Sequence, residues 1–159
     1  MQNDIFDIVI GKAFVHHLTH KQEEQFLKKI SKLLKPNGMV RFVEPAVNSK
    51  LLDTLRWMVP VSGRPSSLQF KKFKRWHLED PHPVRDNSGK HFKKTGLQHF
   101  NSVKIESVGS IERFHRLFPK ASWNRKYRRL AFKLESYLPQ FINYYFARTQ
   151  TITYRLPNK

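Results

Sequence analysis

His16, His17 and Glu44 are the residues of this chain whose types and positions could do acid–base chemistry. Imidazole titrates near neutral pH, so either histidine could take a proton from a hydroxyl or amine nucleophile. The bland alternative is one ring packed under a loop and the other solvated. Glu44-Pro45 closes the apolar run 39–44. A carboxylate there could orient a substrate or steady a cation, or be satisfied by nearby backbone N–H groups. Gly11, Lys12 and Ala13 follow the earlier run 5–11. If that run is a parallel strand, they stand at its C-terminal end, where open α/β sheets bind ligands. The alternative is a strand-to-helix turn that needs a small residue. His16, His17 and His20 raise the question of a metal. Adjacent histidines point apart and no carboxylate stands at ligand spacing, so no metal site is expected. The chain has no cysteine, which removes disulfides, iron–sulfur clusters, thiolate zinc sites and a thiol nucleophile.

The elements that must carry these residues follow from periodicity. Residues 5–11 are β-branched, aromatic and nearly all apolar, as a parallel strand buried on both faces requires. Thr19 and Gln22 have the spacing of a capping box. Phe26, Leu27, Ile30, Leu33 and Leu34 then form one helical stripe, stopped by a turn at Lys35-Pro36-Asn37-Gly38. Residues 39–44 read as a second strand. A second helix starts near Ser49, with Leu51, Leu52, Leu55, Met58 and Val59 as its stripe. Strand, helix, strand, helix with short turns predicts an α/β fold with parallel pairing and right-handed crossovers. Residues 60–90 are broken by Pro60, Pro65, Pro81 and Pro83 and read as irregular. A short helix is expected over 88–98, a strand around Val103 and Ile105, an amphipathic helix marked by Trp123, Tyr127, Leu130, Leu134 and Tyr137, and a last strand over 146–155.

The 159 residues are one domain's worth of sequence. Thirty Lys and Arg against 12 Asp and Glu give a net charge of +18. That charge favours anionic partners and says nothing about fold. Thirteen Phe, five Tyr and three Trp are enough to build a core. No apolar run approaches the ~20 residues of a membrane span, and no signal peptide is visible. A soluble, cytoplasmic protein is the expectation. Between Arg113 and Lys133, basic residues alternate with Phe114, Phe118, Trp123 and Tyr127. That composition fits a nucleic-acid patch, a basic helix on an anionic membrane, or an insertion that packs its rings and leaves its charges wet.

Two segments together resemble the class I S-adenosylmethionine-dependent methyltransferases. Phe6-Asp7-Ile8-Val9-Ile10-Gly11-Lys12-Ala13-Phe14-Val15-His16-His17-Leu18 is similar to that family's fourth strand and following loop. Leu34-Lys35-Pro36-Asn37-Gly38-Met39-Val40-Arg41-Phe42-Val43-Glu44-Pro45 is similar to its turn, fifth strand and Glu-Pro. The resemblance implies a partial Rossmann-like fold, mostly parallel, with strands 4-5-7-6 and an antiparallel last strand. It implies a cofactor, S-adenosylmethionine, contacted by Gly11, Lys12 and Ala13. His16 or His17 would handle the proton and Glu44 would orient the acceptor. Residues 60–90 would form a substrate lid, with Arg64, His82 and Arg85 as contacts, and 109–140 a basic helical insertion.

The family holds its cofactor with a Gly-rich loop and an acidic residue on its first two strands. None of the six glycines here makes a G-x-G. The expectation is therefore the C-terminal half of such an enzyme, one that binds cofactor only in a complete parent. Its first strand would show a bare edge that a second chain could complete. The acceptor is open between a small molecule and a nucleic acid. Two other readings stay open: a polyanion-binding module without catalysis, and an inactive fragment.

Overall fold

A computed structural model describes residues 4–59, 61, 64–79, 83, 85–117 and 122–158. Strand β1 (Phe6–Lys12) leads through a 3-10 turn to helix α1 (His20–Leu33) and strand β2 (Leu34–Pro45). Helices α2 (Lys50–Met58), α3 (Phe70–Leu78) and α4 (Gly89–Gly96) follow, then strand β3 (Phe100–Val108). Helices α5 (Ser122–Glu135) and α6 (Gln140–Phe146) precede the last strand, β4 (Thr149–Pro157).

The sheet order is β1-β2-β4-β3, as the 4-5-7-6 expectation requires. β1 and β2 are parallel, while β4 runs antiparallel to both β2 and β3. Three of the four strands therefore run the same way and the inserted last strand opposes both neighbours, which makes the sheet mixed with an antiparallel last strand, as expected. The Lys35–Gly38 turn lies within β2 as an irregularity in its pairing with β1. Lys35 Nζ holds the Asp7 carboxylate across it at 2.9 Å.

Register explains the core. Val9↔Val40↔Tyr154↔Val103 and Gly11↔Phe42↔Ile152↔Ile105 run across the sheet on one face. Leu27 and Ile30 of α1 and Phe92 of α4 belong to the core cluster built on that face. Gly11 is needed for this packing, since a Cβ there would stand 2.8 Å from the Phe42 ring. The other face behaves differently. Ile8 and Ile10 are 52% and 75% exposed, and Arg41 and Lys104 are exposed in the same rows. The expectation that the first strand is buried on both faces is thus corrected. β1 is an edge strand, and its apolar alternate residues meet no layer among the described residues.

Local chemistry sets the helix ends. Thr19 and Gln22 form the expected capping box, and Ser49 caps α2. Two helices were not foreseen. α3 lies inside the stretch read as irregular, where Phe70, Phe73 and Trp76 recur every third residue between proline-rich flanks. α6 starts directly after Pro139, which takes the N-cap position. No helix among the described residues is long and apolar enough to cross a membrane.

Candidate active site

The C-terminal ends of β1 and β2 open onto a cleft of about 540 Å³. Lys12 and Ala13 supply one wall, with Val43, Glu44 and Pro45 beside them. Leu52, Leu55 and Arg56 of α2, with Val59 just after it, form a second wall. Arg113, Phe114, Phe146 and Arg148 close the far side. The apolar stripe of α2 is half exposed, and its Leu52 and Leu55 face this space. Leu55 is 48% exposed and Val59 44%.

Two buried glutamates fix the loops that line the cleft. Glu44 ends β2 with its side chain fully buried. Its carboxylate accepts from the backbone N–H groups of Phe14, Val15 and His16, at 3.0, 2.9 and 3.3 Å. It also meets His16 Nδ1 at 2.7 Å. A carboxylate that already accepts three N–H groups acts as acceptor here too, so Nδ1 is the donor of this bond. On the opposite side, Glu135 of α5 accepts from Gly109, Ile111 and Glu112 N–H at 2.7–2.8 Å. That anchor sets the turn which presents Arg113 and Phe114. Glu112 is also buried and holds Arg128 at 2.7 Å, with Arg148 at 3.7 Å. Burial and the nearby Glu112 and Glu135 carboxylates push the Tyr127 phenol up from its ordinary pKa, and its hydroxyl donates to Ile111 O at 2.8 Å.

Lys12, Ala13, Glu44 and Arg64 of the expected site residues line the cleft. Ala13 adopts a left-handed backbone, φ 51°, and its N–H donates to Val43 O at 2.8 Å. Arg64 lies 4.6 Å from the Trp57 ring and donates to Arg56 O and Val59 O. The His16 and His17 rings lie beside each other, 4.2 Å between centroids and tilted by 40°, and neither lines the cleft. His82 lies outside the described residues.

Arg85 has a different place from the one expected of it. Its side chain is 1% exposed and pairs with the fully buried Glu23. It also donates to Val15 O and Leu18 O at 2.8 and 2.7 Å. The guanidinium is thus spent on tying the β1–α1 connection to the segment before α4, with no surface left for a substrate. The same network holds a cluster that the sequence argument missed. Glu23 follows His20 by one helical turn, and His91 joins them from α4, with the three ligand-capable atoms within 4.8 Å. Glu23 Oε1 has no hydrogen bond among the described residues. Arg85 already neutralises that carboxylate, and its Nη2 is 3.3 Å from His91 Nε2. A divalent ion would be set against this fixed charge, so the cluster reads as a buried ion-pair network.

Comparison with solved structures decides the fold. A SAM-dependent methyltransferase from Archaeoglobus fulgidus superposes with a TM-score of 0.54 at 16% identity, over 96% of this chain and 60% of that one. The fold is that of the class I S-adenosylmethionine-dependent methyltransferases. The cyclopropane synthase MmaA2 of Mycobacterium tuberculosis aligns with a TM-score of 0.51 at 11% identity, over 99% of this chain and 57% of that one. Phosphoethanolamine N-methyltransferase 2 of Haemonchus contortus, solved with S-adenosyl-L-methionine, gives 0.50 at 12% identity, covering 99% and 34%. The chain therefore spans between a third and three fifths of the length of these proteins. No family model matches the sequence, and no curated protein matches it either.

The residues of this methyltransferase fold fit the cofactor in part. The cleft lies at the ends of the parallel pair, and the Lys12–Ala13 wall beside it is exposed. Gly11 precedes that wall and packs against the Phe42 ring, where a Cβ would stand 2.8 Å away. The lining residues that the sequence does not assign to the site include Arg56, Arg113, Phe114, Phe146 and Arg148. The sequence leaves Arg113 and Phe114 open between a nucleic-acid patch, a basic helix on an anionic membrane and an insertion that packs its rings and leaves its charges wet. Only the turn anchored by Glu135, which lies 24 residues from Ile111, brings them to the cleft.

Proposed function

We propose that the chain forms the acceptor side of an S-adenosylmethionine-dependent methyltransferase site. The observation that carries this reading is the cleft at the C-terminal ends of β1 and β2, walled by the loop that Glu44 anchors. Lys12 and Ala13 would hold the cofactor, which when bound supplies an electrophilic methyl group on a sulfonium. The charge that disappears on transfer makes an apolar, water-poor setting favourable, and alignment supplies much of the acceleration. The Leu55, Val59, Phe114 and Phe146 walls provide that setting. His16, bonded to Glu44 through Nδ1 and outside the cleft lining, braces the cofactor loop in this reading. Glu44 positions it through Nδ1 rather than touching the acceptor, since the carboxylate has no exposed surface. His17, its ring tilted against that of His16, has the supporting place.

The open edge and outer face of β1 belong to the same proposal. A strand from a second chain or segment completes the sheet there and brings the remaining cofactor contacts. Calorimetric titration with S-adenosylmethionine and its demethylated product tests the reading. Saturable one-to-one binding supports it. A chain with a cooperative unfolding transition and no heat of binding overturns it.

One observation favours a second reading. Arg125, Lys126, Arg129 and Lys133 are exposed on α5 beside a 43% exposed Trp123. A polyanion-binding surface would use both. RNA affinity that falls steeply between low and high salt would support it, and salt-independent binding would remove it.

A further inference from the structure

We infer that helix α5 docks this chain on an anionic lipid bilayer. The side chains of α5 fall into three rows along its axis. Asn124, Tyr127, Ala131 and Glu135, at i, i+3, i+7 and i+11, are buried or half-buried and face the domain. Trp123, Leu130, Leu134 and Tyr137, at i, i+7, i+11 and i+14, make a second row whose members are between 43% and 75% exposed. Tyr137 N–H donates to Leu134 O at 3.1 Å, which carries this row one step past the end of the helix. Lys126, Arg129 and Lys133 make a third row beside it, with Arg125 next to them, and all four are exposed.

The faces of this helix are exchanged. An amphipathic helix of a globular domain buries its large apolar row and wets its polar one. α5 is instead fixed to the domain by polar contacts. Glu135 accepts from the backbone of Gly109, Ile111 and Glu112, Tyr127 Oη donates to Ile111 O, and Asn124 Nδ2 donates to His115 O at 3.0 Å. The leucines are left outward, in a row about 21 Å long at 1.5 Å per residue. α5 contributes no residue to the cleft lining, so this surface is independent of the cofactor reading.

The charge beside the apolar row decides what covers it. Arg128 has its acid in Glu112, at 2.7 Å. Arg125, Lys126, Arg129 and Lys133 have no ion pair among the described residues. A second copy would bring the same cations against these, on a chain of net charge +18, and like charges oppose that contact. RNA would neutralise the cations and stack on the two rings, but it would leave Leu130 and Leu134 wet. An anionic bilayer meets both rows at once. Acyl chains cover the leucines, the Trp123 and Tyr137 rings sit at headgroup level, and the long Lys and Arg stems carry their charges to the phosphates.

Sedimentation of the full chain with unilamellar vesicles tests the inference. One set is phosphatidylcholine alone, and the other carries phosphatidylglycerol as a third of its lipid. The chain should partition at least tenfold more strongly onto the anionic set. Replacing Lys126→Gln and Lys133→Gln together should weaken that partition about fivefold per charge removed. Leu130→Gln with Leu134→Gln should weaken it at least tenfold while the far-UV spectrum and urea midpoint stay with the parent, because both side chains are already half in water. Tyr137→Ser, beyond the helix, should also weaken it and leaves the helix itself unaltered. No partition, equal partition onto both sets, or full partition in both the leucine variant and Tyr137→Ser overturns the inference. Oligouridylate is titrated alongside. Binding to it that needs the lysines and ignores the leucines, with no partition onto vesicles, overturns the inference and assigns the surface to RNA.

Discussion

Removing the Glu44 carboxylate should loosen the whole loop that leads from β1 into α1. Glu44→Ala leaves three backbone N–H groups and the His16 Nδ1 proton without their acceptor. Val15 is 1% exposed, so its N–H cannot turn to water. Each such buried donor costs about 1–3 kcal/mol. Phe14 and His16 are less enclosed and recover part of the loss through solvent. The sum is about 3–5 kcal/mol, the range found when one member of a buried ionic pair is removed. A domain of this size holds roughly 5–15 kcal/mol in total, and the melting temperature should fall by about 6–20 °C. Glu44→Gln keeps one carbonyl oxygen for Phe14 and Val15 but turns an N–H₂ toward His16, so about 1–2 kcal/mol is expected. Urea unfolding followed by tryptophan fluorescence measures both variants. Amide exchange at residues 14–16 should be slow in the parent and fast in Glu44→Ala. A loss under about 1 kcal/mol in Glu44→Ala, with unchanged exchange at these amides, would refute the anchoring role.

Other variants probe separate parts of the account. Arg85→Ala should cost about 3–5 kcal/mol, because it strands the Glu23 carboxylate in the interior; a urea midpoint within error of the parent would contradict the buried network. Gly96→Ala places a Cβ 2.3 Å from Tyr154, whose ring is stacked on Phe100 at 5.2 Å. Overpacking of about 1–3 kcal/mol should exceed the ~1 kcal/mol that alanine gains in a helix, and a raised melting temperature would show that the ring gives way. Burial holds the His99 pKa below its ordinary value. The unfolded chain then binds the extra proton, so this stabilisation is complete above about pH 6.5 and declines as pH falls below it. His99→Gln should flatten the loss of stability between pH 7 and 5, and an unchanged slope would assign the loss elsewhere. If a second copy of the chain covers β1, sedimentation velocity will show self-association that Ile10→Lys abolishes; a partner of a different sequence would leave both monomeric.

What could be read from the sequence was what nearby residues determine. The Thr19–Gln22 capping box, the Ser49 cap and the apolar stripe of α1 are local patterns with local causes, and all are present. The sheet order came from the resemblance and its motifs. Residues 70–78 were obscured by the prolines on either side, although Phe70, Phe73 and Trp76 carry the helical period. The α2 stripe was legible as a helix face but not as a cleft wall. Nothing in Leu52, Leu55 and Val59 distinguishes burial under a sheet from exposure to a ligand space. Arg85 and Arg113 show the main obstacle. A cation's role depends on the acid that the fold brings to it, and Glu23 lies 62 residues from Arg85. Alone in the sequence, Arg85 resembled a substrate contact and Arg113 a surface charge. Their places are closer to the reverse.

The central claim is that the wall formed by residues 11–15 and 43–46 receives the cofactor. Its most direct test is a ¹⁵N–¹H NMR titration of the folded chain with S-adenosylhomocysteine. The account predicts saturable shifts confined to the amides of residues 11–15 and 43–46. With only part of the cofactor's contacts available, the dissociation constant should be near 1 mM, about −4 kcal/mol. Spectra unchanged at several millimolar, or shifts gathered on β3 and α5 instead, would contradict it.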